Sequence, residues 1–375
     1  MLTALERHPN AQVVLAPVLN PGGRPSHAYL FHGPGGSGKR ALARETAAAL
    51  LSQGAPDPAS AQARALAGAH PDLTWVVPSG AHEVLVSDID EPVVAAATRT
   101  PFESERRVFV IESADLLGDA AANRLLKTLE EPASFVHLIL ITDRLADVLP
   151  TIRSRCQLVR FEAPTVQELA AELSAGGVAD EVAQAYARLS LGDAGRAKAL
   201  AQPEGGELRT GAIELVRHAL AGDTGVAAPW GGLLEAVRAR GERVRVELEE
   251  RQALELELLP SRERKRAETE GTERVRRVRR RVETAALELA LDVMEAWLLD
   301  LAALAYGAAD LVRNSDRLTD LRADTERGRG GDAVSLRRAV ELVEDTRLRF
   351  QLNVSEDLAL EALSYRLGEV LAGVA

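Results

Sequence analysis

Five short apolar runs punctuate the chain before Pro164: Ala28–Phe31, Leu73–Val77, Arg107–Ile111, Val136–Thr142 and a weaker one at Gln157–Phe161. Each is strand-length, and helical patterns fall between them: Lys39–Leu51, a weaker one at Pro92–Thr98, and Ala120–Glu131. Buried strands alternating with helices predict a mostly parallel sheet covered on both faces. The third helix is well marked, with Asp119 expected to cap it, Pro132 after its end, and Ala122, Leu125, Leu126 and Leu129 on one core-facing stripe. The Ala-, Pro- and Gly-rich stretch Gly54–His70 reads as a surface excursion.

After Pro164 the strand pattern stops. Thr165–Gln202 reads as a small helical unit, and from about Leu208 the chain is helical to its end. That region is interrupted only by Trp230-Gly231-Gly232 and a loop at Arg327–Gly331, and Arg274–Tyr306 predicts one long helix, charged first and apolar later. The expected organisation is an α/β domain at 1–163, a helical lid at 164–207 and an all-α domain at 208–375. No internal repeat is visible. Long apolar faces without a chemical motif mark the last region as an oligomerisation domain.

Composition changes this picture little. The opening MLTALERHPN lacks the apolar run of a secretory signal, and no charge-free stretch reaches membrane-span length, so a cytoplasmic location without membrane contact is expected. A single cysteine, Cys156, excludes an intramolecular disulfide and a multi-cysteine zinc site within one chain. The net charge of −11 argues against nucleic-acid binding by bulk electrostatics. One segment runs the other way: Arg262–Arg281 carries ten Lys/Arg against four Glu. The ordinary reading of such a run is a solvated, salt-bridged helix face. The sharper one is a DNA-binding surface, marked by salt-dependent affinity.

The candidate chemistry lies in LFHGPGGSGKRALARETAAALL, from Leu30 to Leu51. An apolar strand, a glycine-rich turn and a helix start fit a phosphate loop, G-x-x-x-x-G-K-[ST], in which backbone N–H groups and a lysine cradle phosphates. Gly33, Gly38 and Lys39 are in place, but Arg40 stands where the magnesium-binding hydroxyl belongs, and an arginine cannot ligate a cation. The partner strand ends in Glu112-Ser113-Ala114-Asp115 instead of Asp-Glu. Glu112 retains reach toward a metal, Ser113 is a poor base at neutral pH, and Asp115 fits a cap or turn. Two independent losses make the loop vestigial for hydrolysis.

HAYLFHGPGGSGK, DAAANRLLKTLEEP at Asp119–Pro132 and TIRSRCQL at Thr151–Leu158 together resemble the AAA+ clamp-loader family of DNA replication. Within it the chain resembles the delta-prime subunits of the bacterial DNA polymerase III clamp loader. The motor subunits, gamma and tau, keep an intact hydroxyl and Asp-Glu pair, and they tend to carry an arginine at the position of Gly195. GDAGRAKAL at Gly192–Leu200 and LNVSEDLALEALSYRL at Leu352–Leu367 extend the likeness. It is strong to residue 161 and loose through Arg262–Gly330.

The resemblance implies an α/β AAA+ P-loop domain, a helical lid and an all-α collar. It also implies a non-motor subunit assembled with gamma/tau motors and delta, reaching the sliding clamp and primed DNA through the complex. ATP and magnesium would reside at neighbouring subunits, with no metal or cofactor of its own. Many relatives carry a four-cysteine zinc module before the second strand. Ser52–His70 has no cysteine, so no zinc is expected. In the Ser154-Arg155-Cys156 motif, the resemblance gives Arg155 the role of a finger projecting into a neighbour's ATP site. Its planar, permanently charged fork suits the γ-phosphoryl, although on residue type alone a surface ion pair is the default. Ser154 is expected to shape the turn, Cys156 to be a small buried residue, and Thr142, at the family's nucleotide-sensor position, to be structural. The competing reading is an ATP-hydrolysing, gamma/tau-like motor with an atypical metal site. Whether ATP lodges in the loop without turnover stays open on sequence alone.

Overall fold

The computed structural model describes residues 8–20, 23–79, 83–222, 228–257, 261–326, 332–351 and 354–371. The chain divides into two compact units, Met1–Ala163 and Pro164–Ala375.

In the first unit, α1 (Pro9–Leu19) precedes β1 (Ala28–His32), α2 (Lys39–Ser52), α3 (Pro58–Ala67) and β2 (Leu73–Val76). A short α4 (Val86–Ile89) runs into a π-helical turn at Asp90–Ala95. Then follow β3 (Arg107–Ile111), α5 (Asp119–Glu130), β4 (Val136–Thr142), α6 (Pro150–Arg153) and β5 (Gln157–Arg160). Among the described residues the strands form one parallel sheet in the order β2-β3-β4-β1-β5. Alternate side chains of each strand go to opposite faces. Tyr29, Phe31, Val108, Val110, Ile139 and Ile141 pack with α1 and α2, while Leu30, Phe109, Ile111, Leu138 and Leu140 pack with α5 and the α4 region. The central strands β1, β3 and β4 are buried on both faces, which is why they read as unbroken apolar runs, whereas on the edge strand β5 only Val159 is buried. Because β1 lies between β4 and β5, strand order reverses at its carboxyl end, where open α/β sheets bind ligands.

Two local expectations differ from the structure, and the surface excursion Gly54–His70, most of it exposed, holds a helix that the apolar pattern did not announce. The segment Gly54–His70 contains α3, which is capped by the Asp57 carboxylate accepting from the Ser60 N–H at 3.1 Å, has Pro58 in its first turn and ends at Gly68. Its buried residues, Ala61 and Ala65, are too small to give a hydrophobic stripe, so only the cap signals announced it. Asp119 is the first residue of α5 rather than its cap; Gly118 holds that position without a side-chain bond, and Asp119 acts on the helix dipole. Of its predicted core stripe, Ala122, Leu125 and Leu129 are buried and Leu126 only partly so. The weak helix placed at Pro92–Thr98 begins earlier, at Val86, because Asp88 accepts from the backbone N–H groups of Leu85 and Ser79. Pro92, which has no N–H to give, sits inside the π turn.

The second unit is helical: α7 (Val166–Ala175), α8 (Asp180–Leu189), α9 (Ala194–Ala201), α10 (Pro203–Ala221), α11 (Gly231–Glu257), α12 (Ser261–Ala305), α13 (Leu318–Glu326), α14 (Ala333–Gln351) and α15 (Glu356–Leu371). Leu169, Ala187, Leu208, Val216, Trp297, Leu360 and Leu367 belong to one apolar core, so the helices before and after position 208 share their packing, and that position lies inside α10. The long helix expected from Arg274 begins earlier, at Ser261, and spans 45 residues. Its extra turns are charged and lie along α11, as Gln252 donating to the Glu268 carbonyl at 3.2 Å shows. The expected loop at Arg327–Gly331, and Leu352 and Asn353 of the C-terminal motif, lie outside the described residues. No helix among the described residues is long and apolar enough to cross a membrane.

Candidate functional site

The phosphate loop leaves β1 at His32 and enters α2 at Lys39. Gly33 has φ +150°, and a Cβ there would lie 2.4 Å from the Phe161 carbonyl oxygen, so the loop's first position admits only glycine. Gly38 sits at φ +89° with open space around it; its glycine is required by backbone conformation alone. The loop is also strapped from outside. The His8 ring packs on Phe161 at 4.8 Å between centroids, accepts from the Glu162 N–H through Nδ1 (3.3 Å) and donates through Nε2 to the Ser37 carbonyl (2.9 Å).

Lys39 is only 4% exposed, and its ammonium is spoken for. Nζ donates to the carbonyls of Gly33 (2.6 Å) and Pro34 (2.5 Å), lies 2.8 Å from Asp143 Oδ1 and reaches Ser37 Oγ at 3.3 Å. A lysine has three protons to donate, so a phosphate would have to displace one of these oxygens. Asp143 follows the last residue of β4, and nothing in its sequence context announces it.

Arg40 turns its guanidinium onto Glu112, Nη2 to Oε2 at 2.6 Å. The other Glu112 oxygen accepts from Trp75 Nε1 at 2.8 Å. Glu112 is 9% exposed and Arg40 72%, so the fixed positive charge sits over the mouth of the carboxylate. The residues present do not fit a magnesium ion: the hydroxyl ligand is absent, and the remaining acid already holds a cation that cannot be coordinated through. Ser113 adopts a left-handed conformation, φ +53°, and opens the turn Ala114–Leu116. In that turn Asp115 Oδ1 accepts from Thr142 Oγ1 at 2.6 Å, and Thr142 Oγ1 accepts from the Arg144 N–H at 3.0 Å. Thr142 and Asp115 thus brace one another. Among the described residues no group of three or more His, Cys, Asp or Glu is placed to hold a metal ion.

The second candidate centre lies beyond β4. Ser154 ends α6 and its hydroxyl donates to the Thr151 carbonyl at 3.2 Å. Arg155 is half-buried: Nη1 donates to the Thr151 carbonyl (2.8 Å) and Nη2 to Glu130 Oε1 (2.5 Å), at the end of α5. The LLKTLEEP and SRC motifs therefore meet through one ion pair, a link their separation in sequence hides. Cys156 packs against the sheet core, and burial pushes its thiol up to about 12. Gly195 lies in the first turn of α9, its N–H capped by Asp193 at 2.7 Å, and the adjacent Arg196 pairs with Asp292 at 2.6 Å. The basic segment Arg262–Arg281 runs along the first half of α12; its side chains at 262–263, 265–267 and 270 lie outside the described residues.

A family model described as DNA polymerase III, delta subunit, matches residues 15–165. The DNA polymerase III subunit delta' of Pseudomonas aeruginosa is 40% identical over 136 residues, 35% of this chain and 42% of that protein. The delta' subunit of Bacillus subtilis is 36% identical over 145 residues, 37% of this chain and 43% of that protein. The gamma/tau subunit of Mycobacterium tuberculosis is 37% identical over 137 residues, 36% of this chain and 24% of that protein. The chain thus spans less than half the length of each of these three relatives. Over residues 15–165 the chain is therefore similar to the delta' subunits of DNA polymerase III.

Proposed function

We propose that this chain is a non-motor, delta-prime-like subunit of a replicative clamp loader. In that role it helps assemble the ring that loads the sliding clamp onto primed DNA, and it supplies Arg155 in trans to a neighbouring ATP site. Gamma/tau-type motors and a delta subunit are its partners in this reading, ATP and magnesium belong to the neighbours, and it needs no zinc. The observation that carries the reading is Arg40 lying on Glu112 at 2.6 Å. A guanidinium there replaces both the metal ligand and the metal's charge, and Ser113 offers no base strong enough to activate water. The lysine that would reach the outer phosphates is held by Gly33, Pro34 and Asp143.

The Arg155–Glu130 pair does not oppose the trans role. Both partners are substantially solvated, and exposed pairs contribute only ~0.2–1 kcal/mol, so a γ-phosphate of a neighbour outcompetes one carboxylate. Fingers of this kind are worth on the order of 10³–10⁵ in rate.

The test is reconstitution with motor and delta subunits. Alone, the chain is expected to show no magnesium-dependent ATP turnover above a heat-inactivated control. In the complex, Lys39→Ala leaves ATPase and clamp loading nearly intact. Arg155→Ala preserves assembly but cuts hydrolysis at one neighbouring site, with loading hit harder than total ATPase, and Arg155→Lys does not fully rescue, because an ammonium lacks the bidentate fork. The similarity to gamma/tau subunits keeps one specific rival: a complex killed by Lys39→Ala and indifferent to Arg155→Ala makes this chain a motor.

A further inference from the structure

The chain's densest charge lies far along the sequence from either candidate centre. Glu273–Arg281 reads ERVRRVRRR, six arginines in nine residues. In α12 the inner face of this stretch is fixed by its packing. Val275 is buried, Gly271 leaves room for Gln252 of α11, and Arg279 pairs with Glu283 (2.9 Å) and with Glu242 of α11 (3.5 Å). At 100° per residue the opposite arc holds Arg276, Arg280, Glu273, Arg277, Arg281 and Arg274 in angular order. Arg280 pairs with Glu356 of α15, and Arg281 also has a partner. Arg274, Arg276 and Arg277 are exposed, and their guanidinia have no ion-pair partner among the described residues. Glu273 is the one carboxylate of that arc.

We propose that this arginine ridge binds the phosphate backbone of duplex DNA without reading sequence. The surface selects among polyanions by what it lacks. The arc carries no apolar side chain, because Val275 is buried and Val278 lies toward the inner face. An interfacial membrane helix needs an apolar face to insert, and the hot spots of a protein partner lie in well-packed, desolvated pockets; this solvated ridge offers neither. A phosphate backbone asks only for regularly spaced, fork-shaped donors, which arginine supplies. The three guanidinia of Arg274, Arg276 and Arg277 spring from ~4.5 Å of helix axis and fan over the arc on long side chains, enough to engage neighbouring phosphates ~3.4 Å apart along one strand. The chain's net charge of −11 repels DNA elsewhere, so the ridge also fixes how the duplex lies. The choice of DNA over RNA rests on the function proposed above.

The test uses the full chain and a fluorescein-labelled 20-base-pair DNA duplex of arbitrary sequence, followed by anisotropy between 50 and 200 mM salt. Three phosphate contacts give a slope of about −2.7 in log K against log salt, a loss of roughly 40-fold over that range. Arg274→Gln/Arg276→Gln/Arg277→Gln, which removes exposed unpaired groups and leaves the fold intact by circular dichroism, is expected to flatten the slope by about 2.7. The same change at Arg337 and Arg338 on α14 is expected to leave it. An unchanged slope in the triple variant overturns the proposal. So does tighter binding of an RNA duplex of equal length, or displacement by polyglutamate at equal charge concentration. The trans-arginine reading is scored by ATPase in the reconstituted complex, so the two fail separately.

Discussion

Arg209, on α10, is 2% exposed, and no part of its sequence context marks it for burial. The structure surrounds it. Nη1 and Nη2 each donate to one Asp316 carboxylate oxygen at 2.7 Å, Nη2 also donates to Asn314 Oδ1 at 2.7 Å, and the guanidinium lies 5.4 Å from the centre of the Tyr186 ring of α8. Asn314 in turn donates to Asp300 of α12, whose other oxygen accepts the Arg313 N–H at 2.9 Å. One side chain therefore ties together three helices and the turn before α13. Arg209→Met keeps much of the volume but leaves Asp316 charged without its partner and the Asn314 oxygen, in a fully buried residue, without a donor. Removing one member of a buried ion pair costs about 3–5 kcal/mol, most of it the penalty of the orphaned partner. For a unit of this size that is a fall of roughly 6–20 °C in Tm. Differential scanning calorimetry of the full chain reads it as a shift of the transition from the helical unit, with the α/β transition unmoved. If burial of an unpaired charge is the cause, Arg209→Met/Asp316→Leu should recover part of the loss, because the orphan is removed with its partner. A shift below about 2 °C for the single variant refutes the reasoning and makes the network dispensable.

The α/β unit should lose stability in mild acid. His32, His70 and His137 all have pKa values lowered, in each case chiefly by burial, with Glu103 and Asp72 partly opposing the shift at His70. A histidine held neutral contributes stability that is complete above its unfolded value near 6.5 and is lost as pH falls from there through the folded value. Urea midpoints should therefore be flat from pH 8 to 7 and decline below 6.5; a midpoint that rises on acidification contradicts this. Cys156, with its thiol pushed up to about 12, should resist iodoacetamide at pH 8 in the native chain and label rapidly in denaturant, as read by mass spectrometry. Fast native labelling would mean the site is open.

The central strands were legible because burial on both faces leaves a continuous apolar signature that needs no partner information; the exposed edge strand β5 was correspondingly weaker. The helix α3 was not legible, since alanine packing carries almost no hydrophobic contrast; the sequence advertised it only through Asp57-Pro58 and Gly68. The first half of α12 was hidden for the opposite reason, its charged turns being held by α11 and not by an apolar stripe. At the candidate site, residue identity alone announced the oddity of Arg40 and Ser113. What Arg40 does with its charge required coordinates, as did Asp143 on Lys39, His8 on Ser37 and Glu130 on Arg155. Each of these pairs joins residues whose types are common and whose separation follows no period. Only the folded sheet brings them together.

The two candidate centres differ in what controls them, and the difference decides how each should respond to change. The Arg40–Glu112 contact joins a solvated arginine to a buried carboxylate. Its effect is chemical: removing Arg40 by mutation to alanine frees Glu112 but supplies no hydroxyl, and Ser113 is still no base. A single substitution at the loop therefore cannot recover turnover in the proposed reading. Arg155 is the reverse case. In that reading its chemistry is complete in one side chain, and what holds it in cis is the ion pair with Glu130, ~1 kcal/mol or less, and one donation to the Thr151 carbonyl. If the proposed function holds, a centre limited by missing groups is insensitive to small perturbations, whereas one limited by weak contacts answers to whatever anion a neighbour presents.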